Sequence, residues 1–176
     1  MKTKEVSLEE ILAARDSRVE RQQAALARWR LPLVSLTLVM PGPLKDSDTA
    51  RFLLDEAIAE VDALCRDRGW VVRSFEAIRQ PTGPEALYAV DTDAQTLKRA
   101  LTGLEEQHAL GRLWDMDVID PVEGSLSRRS LGLESRRCLV CDEPGHACAR
   151  SRAHPLPELM AAIKERVDGY RHRRAA

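Results

Sequence analysis

Apolar residues recur at helical spacing from Leu8 through Leu12, Val19, Leu26 and Trp29, and the run stops at Pro32. Ser7-Leu-Glu-Glu10 ahead of it has the form of a capping box, in which Ser7 and Glu10 satisfy each other's free backbone N–H groups. Arg15 falls on the same stripe, where a guanidinium must snorkel to water or meet an anion. The pattern then changes. LVSLTLVM at 33–40, closed by Pro41-Gly42-Pro43, predicts a strand with Val34, Leu36, Leu38 and Met40 on one apolar face.

A cap at Asp46 or Ser47 opens a second helix whose inner line is Leu54, Ile58, Val61, Leu64 and Cys65, ending before Gly69. Residues 70–79 and 85–91 read as two strands joined by the turn Pro81-Thr-Gly-Pro84. A third helix carries Leu97, Leu101, Leu104 and His108 on one stripe, followed by Gly111. RLWDMDVID at 112–120 is a strand running into Pro121.

The order from 33 to 120 is therefore strand, helix, strand, strand, helix, strand. That order predicts an α+β fold with a ferredoxin-like βαββαβ antiparallel sheet core, an N-terminal helix packed outside it, and a small Cys/His-containing C-terminal appendage. The final helix starts near Pro155 or Pro157 and carries Leu156, Met160, Ile163 and Val167. Three segments follow, within one compact domain: 1–31, the N-terminal helix; 32–122, the sandwich; and 123–176, the Arg-rich Cys/His segment and last helix.

A chain of 176 residues with 44% hydrophobic content can bury a real core. Its formal net charge of −1 exerts no general pull on nucleic acid or membranes, and aromatics at 4% argue against base-stacking surfaces. The start MKTKEVSLEE is too charged for a secretory signal, and no run of about 18 apolar residues occurs. A cytoplasmic location is expected, with four reduced cysteines that serve metal binding or packing rather than disulfides.

In an extended segment residues i and i+2 share a face, so Asp115 and Asp117 point together while Trp114, Met116 and Val118 line the other side. Two carboxylates there repel unless a cation compensates, and magnesium bridging to substrate phosphates would do so. The alternative is a partly exposed strand with aspartates solvated or paired to arginine. His108, Arg112, Arg128 and Arg129 lie close in sequence and suit phosphate chemistry.

Cys138 and Cys141 form a two-residue knuckle, with Cys148 and His154 following, a set matching a structural zinc shell. His146 is a substitute fourth ligand, and reduced packing thiols are the alternative. Arg15, Arg18 and Arg21 share one helix side, where ion pairs with acids are the plainer reading. Lys45 ends the rigid Pro-Gly-Pro-Leu loop. No GxxxxGK[ST] or GxGxxG loop is present to hold a nucleotide.

Several pieces stand together in order: Arg15-Asp16-Ser-Arg18, PLVSLTLVMPGPLKDS from Pro32, Gly83-Pro84-Glu85, HALGRLWDMDVI from His108, Ser127-Arg128-Arg129, and RRCLVC through Cys148 to His154. With these the chain resembles the apo-citrate lyase phosphoribosyl-dephospho-CoA transferases, also called holo-citrate lyase acyl carrier protein synthases. The resemblance implies a nucleotidyltransferase-type reaction. The donor is 2′-(5″-triphosphoribosyl)-3′-dephospho-CoA, the acceptor a serine of the acyl carrier (gamma) subunit of citrate lyase, and pyrophosphate is released.

For that chemistry Asp115 and Asp117 are the candidate Mg2+ ligands and His108 a candidate proton acceptor. Arg15, Arg18, Lys45, Arg112, Arg128 and Arg129 are the candidate phosphate-binding residues. Cys138, Cys141, Cys148 and His154 are the candidate structural Zn2+ ligands. No nucleic acid or membrane partner is expected. Two non-catalytic readings compete: a zinc-knuckle binding module, and a scaffold for citrate lyase assembly.

Overall fold

The computed structural model describes residues 5–175; residues 1–4 and 176, the outer ends of the first and last predicted segments, lie outside the described residues. Ten elements follow in chain order: α1 (Leu8–Trp29), β1 (Leu33–Leu38), α2 (Asp48–Arg68), β2 (Val71–Ile78), β3 (Glu85–Asp91), α3 (Ala94–Gln107), β4 (Trp114–Asp120), β5 (Gly124–Leu126), α4 (Gly145–Ser151) and α5 (Leu156–Ala175). The fold is α+β, with one five-stranded antiparallel sheet in the order β2-β3-β1-β4-β5. β5 had no forecast of its own: three residues returning after Pro121 are too short to show a period.

The caps form as their residue types dictate. Ser7 and Glu10 complete the capping box on α1, the Ser47 hydroxyl accepts from Ala50 N, and Gly69 ends α2 at φ 68°. Strand register puts Val34 opposite Tyr88 and Val118, and Leu36 opposite Ala86 and Met116, so these side chains share one face. That face forms the core with Leu53, Leu54, Ala57 and Val61 of α2 and Leu97 and Leu101 of α3, and Ile163 and Val167 of α5 close its end. The fully buried Trp114 donates its indole N–H to Leu53 O at 3.0 Å and locks β4 to α2.

The opposite face carries Ser35, Thr37, Glu85, Asp115 and Asp117. α1 covers part of it, in a different rotation from the one its apolar stripe predicts. Leu8, Leu12 and Val19 are 72%, 48% and 48% exposed. The inward line instead contains Arg18, Arg21 and Gln22: both arginines bind Glu85, and Gln22 donates to Ser35 Oγ at 2.9 Å. The reason is the partner surface, since a sheet face bearing a buried glutamate recruits cations rather than leucines.

Two smaller corrections apply. Arg112 lies not in a strand but in the short 3-10 turn Gly111–Leu113, and β4 starts only at Trp114. Leu156 and Met160 of α5 remain exposed, while Ile163 and Val167 are buried in the core and Leu159, Ala162 and Tyr170 pack against it.

Candidate functional site

β4 runs along the edge of its neighbours in a particular way. β1 pairs with all of Leu38–Leu33 on one side, whereas β5 reaches only Val118–Asp120 on the other. The free edge at Met116 is closed by α3: Met116 N donates to Glu105 Oε1 at 2.8 Å, and Lys98 Nζ donates to Met116 O at 2.8 Å. Both side chains are almost fully buried, so backbone groups that would otherwise be orphaned are paired. Alternation then sends Asp115 and Asp117 to the open face, as the spacing predicts.

Cations gather around the pair. Arg136 Nη1 donates to Asp115 Oδ1 at 3.0 Å, Lys98 Nζ lies 3.8 Å from Asp117 Oδ1, and Arg128 bridges Glu105 and Glu106. Compensation at Asp117 is incomplete. Partial burial, and then the Asp115 charge, raise its carboxyl above the usual carboxylate range against the pull of Lys98, although 58% of the side chain is accessible. Such a pair fits a hard divalent ion, which keeps several waters and takes one or two carboxylates plus phosphate oxygens.

Asp115 also forms one wall of a cleft of about 240 Å3 between α1, the end of β1 and the 81–84 turn. Arg15, Arg18, Thr37, Lys45 and Thr82 line it. Lys45 Nζ donates to Met40 O, and burial, with Arg15 beside it, lowers its pKa. Two cations held this close make an anion-seeking pocket.

The predicted residues thus divide. Arg15, Arg18, Lys45 and Asp115 share the cleft, and Asp117 stands beside Asp115. Arg112 and Arg128 line a second cavity with Arg136, the arginine bound to Asp115. Burial first, then Arg136, lowers Arg112 to about 10. Arg129 is exposed in the turn Arg129–Leu131, away from the aspartates' ion pairs. His108 is not brought to the site. It stacks on Trp114 with ring centroids 4.5 Å apart, on the core side of the sheet, and burial lowers its pKa. The helical stripe that aligned His108 with Leu104 carried it to the core with its neighbours.

Arg136, Glu105 and Lys98 were not read from sequence as partners of the aspartate strand. The signal was available for two of them: Lys98, Thr102 and Glu105 are polar residues at helical spacing beside the Leu97–Leu101–Leu104 line, and all three are buried.

A second cluster forms beyond β5. The Arg137–Pro144 bridge closes a hairpin, with Cys138 N donating to Glu143 O at 2.7 Å and Gly145 N to Arg136 O at 2.7 Å. Cys138 and Cys141 come from this hairpin, Cys148 from α4, and His154 from the link to α5. Their ligand atoms all lie within 4.8 Å of one another. Cys141 Sγ is 3.5 Å from Cys148 Sγ and 3.3 Å from His154 Nε2, while His154 Nδ1 faces Glu158 Oε2 at 3.2 Å. A carboxylate orienting the second ring nitrogen is the usual support of a metal-binding imidazole. Burial raises the Cys138 thiol, but hydrogen bonds from the backbone N–H groups of Val140 and Cys141, together with the Cys148 and Cys141 thiols, outweigh it and leave it at about 7. The group can hold a metal ion. His146 is exposed and outside the cluster.

Comparisons with known proteins agree over most of the chain. The family model described as apo-citrate lyase phosphoribosyl-dephospho-CoA transferase matches residues 6–170. A relative of that name from Citrobacter koseri is 44% identical over 159 residues, covering 90% of this chain and 87% of the relative. Another from Escherichia coli is 42% identical over 166 residues, covering 93% and 91%.

Proposed function

The chain belongs to the apo-citrate lyase phosphoribosyl-dephospho-CoA transferase family, and from that premise we propose how its open sheet face carries out the transfer. It is an enzyme, a transferase that delivers the phosphoribosyl-dephospho-CoA group to apo-citrate lyase. In the finer reading the donor is the triphosphoribosyl precursor, and a serine hydroxyl of the acyl carrier (gamma) subunit attacks its α-phosphorus. The bond from that phosphorus to the β-phosphate's bridging oxygen breaks. A phosphodiester forms, pyrophosphate leaves, and the hydroxyl proton passes to water in the open groove.

The observation that carries this reading is the meeting of Asp115, Arg15, Arg18 and Lys45 in one cleft, with Asp117 alongside. Arg15 and Lys45 would bind non-bridging oxygens of the triphosphate, and Arg18, held by Glu85, would set the cleft's width. Arg136 and Lys98 fix the directions of the two carboxylates. Asp115 and Asp117 would hold magnesium, which when bound supplies charge neutralisation at the phosphates. Cys138, Cys141, Cys148 and His154 would hold zinc in a structural site with four protein ligands.

The strand order β2-β3-β1-β4, with α2 and α3 on one face, supports reading the core as ferredoxin-like, with β5 and the Cys/His module appended. The segments 1–31, 32–122 and 123–176 then act as cleft wall, catalytic sheet and metal-braced support. Among the described residues no helix is long and apolar enough to cross a membrane, and unbridged thiols favour the cytoplasm.

The deciding experiment mixes the full chain with apo carrier subunit, triphosphoribosyl-dephospho-CoA and Mg2+ and weighs the carrier. A serine-linked mass gain supports the reading. A carrier that binds but keeps its mass would make the protein a scaffold.

A further inference from the structure

Arg136, the partner of Asp115, lines a cavity of about 510 Å3 between the 3-10 turn and the loop leading to the Cys hairpin. Four arginines line it: Arg112, Arg128, Arg136 and Arg137. Arg128 is matched by Glu105 and Glu106, and Arg137 lies 3.6 Å from Asp142. Arg136 is paired with Asp115 at 3.0 Å and lies 3.6 Å from Glu105, yet one of its donors, like two of Arg112's, is left over. Arg112 Nε and Nη1 and Arg136 Nε are buried and have no hydrogen-bond partner among the described residues.

A buried N–H left unpaired forfeits the hydrogen bond it would make in water, and three such donors meet here on two neighbouring cations. Donors of fixed planar geometry, carried on like charges, call for an anion with several oxygens. Gly111 fixes the placement. A Cβ on Gly111 would lie 2.6 Å from Glu105 O, so only glycine lets this turn press against α3 and turn Arg112 inward.

We propose that this cavity is a second anion subsite, in which Arg112 and Arg136 hold a diphosphate group apart from the cleft that takes the reacting triphosphate. The proposal rests on the donor named above, which contains two phosphoanhydride groups: the triphosphate and the diphosphate bridge of its dephospho-CoA part. Asp115 lines one cavity and Arg136 the other, and the two are hydrogen-bonded. One extended donor can therefore lie across that pair with an anhydride on each side. Departing pyrophosphate offers the same chemistry, and the probes separate the two sources.

The test is calorimetric titration of the metal-loaded full chain with 3′-dephospho-CoA and, separately, with inorganic pyrophosphate. Charge-assisted pairs of this kind correspond to about ten- to hundredfold in affinity. Arg112→Gln is expected to weaken binding of 3′-dephospho-CoA by that factor, and Arg112→Lys by less, since a point charge replaces the fork. If only pyrophosphate binding depends on Arg112, the subsite stands and belongs to the leaving group. Wild-type affinity for both probes in a folded Arg112→Gln protein overturns the subsite.

Arg112 also borders a smaller cavity with Cys138, Cys148 and His154, so bound zinc is measured on the same samples. Loss of zinc with unchanged probe affinity would assign the unpaired donors to the thiolates and overturn the subsite. The carrier mass assay stays separate. Probe binding that depends on Arg112 in a wild-type protein that modifies no carrier would retain the subsite and remove the transferase reading.

Discussion

Arg136 Nη1 sits 3.0 Å from Asp115 Oδ1, and Arg136 stands two residues before the first cysteine of the Cys/His cluster. The backbone oxygen of the same arginine accepts from Gly145 N, just after the hairpin closes. The Cys/His module and the strand that carries the aspartates are thereby joined through one side chain. Stripping the metal should therefore do more than loosen a remote appendage. A chelated protein, and a Cys148→Ser protein, are expected to bind less than one metal per chain, to melt earlier, and to lose transfer rate together with metal content. Elemental analysis beside the carrier mass assay checks this.

Asp117 separates activity from stability. Its carboxyl is raised by burial and by Asp115, so it keeps its proton to a higher pH in the folded chain than in the unfolded one. The stability that protonation contributes is complete below the ordinary carboxylate value and is lost as pH rises through the raised one. At neutral pH the ionised group thus weighs against folding. Asp117→Asn is expected to melt slightly higher than wild type while transfer falls about 10²- to 10³-fold, the scale of one lost electrostatic contact to the transition state. Thermal melts at pH 7 and initial rates read both.

His108 is expected to be dispensable for chemistry. Removing a general base costs about 10²–10⁴-fold, yet the ring lies on the core face against Trp114. His108→Phe should leave kcat near wild type. Burial lowers its pKa, so the neutral ring's stabilisation is complete above its ordinary value and fades as pH falls toward the lowered one. The variant should therefore lose part of the wild-type decline in stability on mild acidification, as melts across that range would register.

Much of the architecture was legible because burial is periodic. Val34, Leu36, Met116 and Val118 alternate into the core as their spacing predicts, and Ser47 and Gly69 punctuate α2. The misreadings occur where polar groups are buried. α1 turns Arg18, Arg21 and Gln22 inward because they meet Glu85 and Ser35, a partner face invisible from α1's own sequence. The Asp pair was readable from alternation alone. Its supporting residues, Lys98, Glu105 and Arg136, were harder to find, because they reach β4 from α3 and from the hairpin through tertiary contacts.

Gly111 gives a purely steric prediction. Its added methyl would collide with the carbonyls of Leu104 and Glu105 at the end of α3. Gly111→Ala is expected to cost about 1–3 kcal/mol, or roughly 2–12 °C in Tm for a chain of this size. It should also shift Arg112 and weaken donor KM more than distant destabilising changes do. Melting curves beside steady-state kinetics would reveal the pairing.

Transfer on the open face around Asp115 is the step on which every other role depends. Its most direct measurement is intact-mass analysis of apo acyl carrier subunit after incubation with triphosphoribosyl-dephospho-CoA, Mg2+ and either wild-type protein or Asp115→Asn. Wild type is expected to give a serine-linked mass gain and pyrophosphate release, and Asp115→Asn a rate lower by about 10²–10³-fold. Equal rates from a folded Asp115→Asn protein would contradict it.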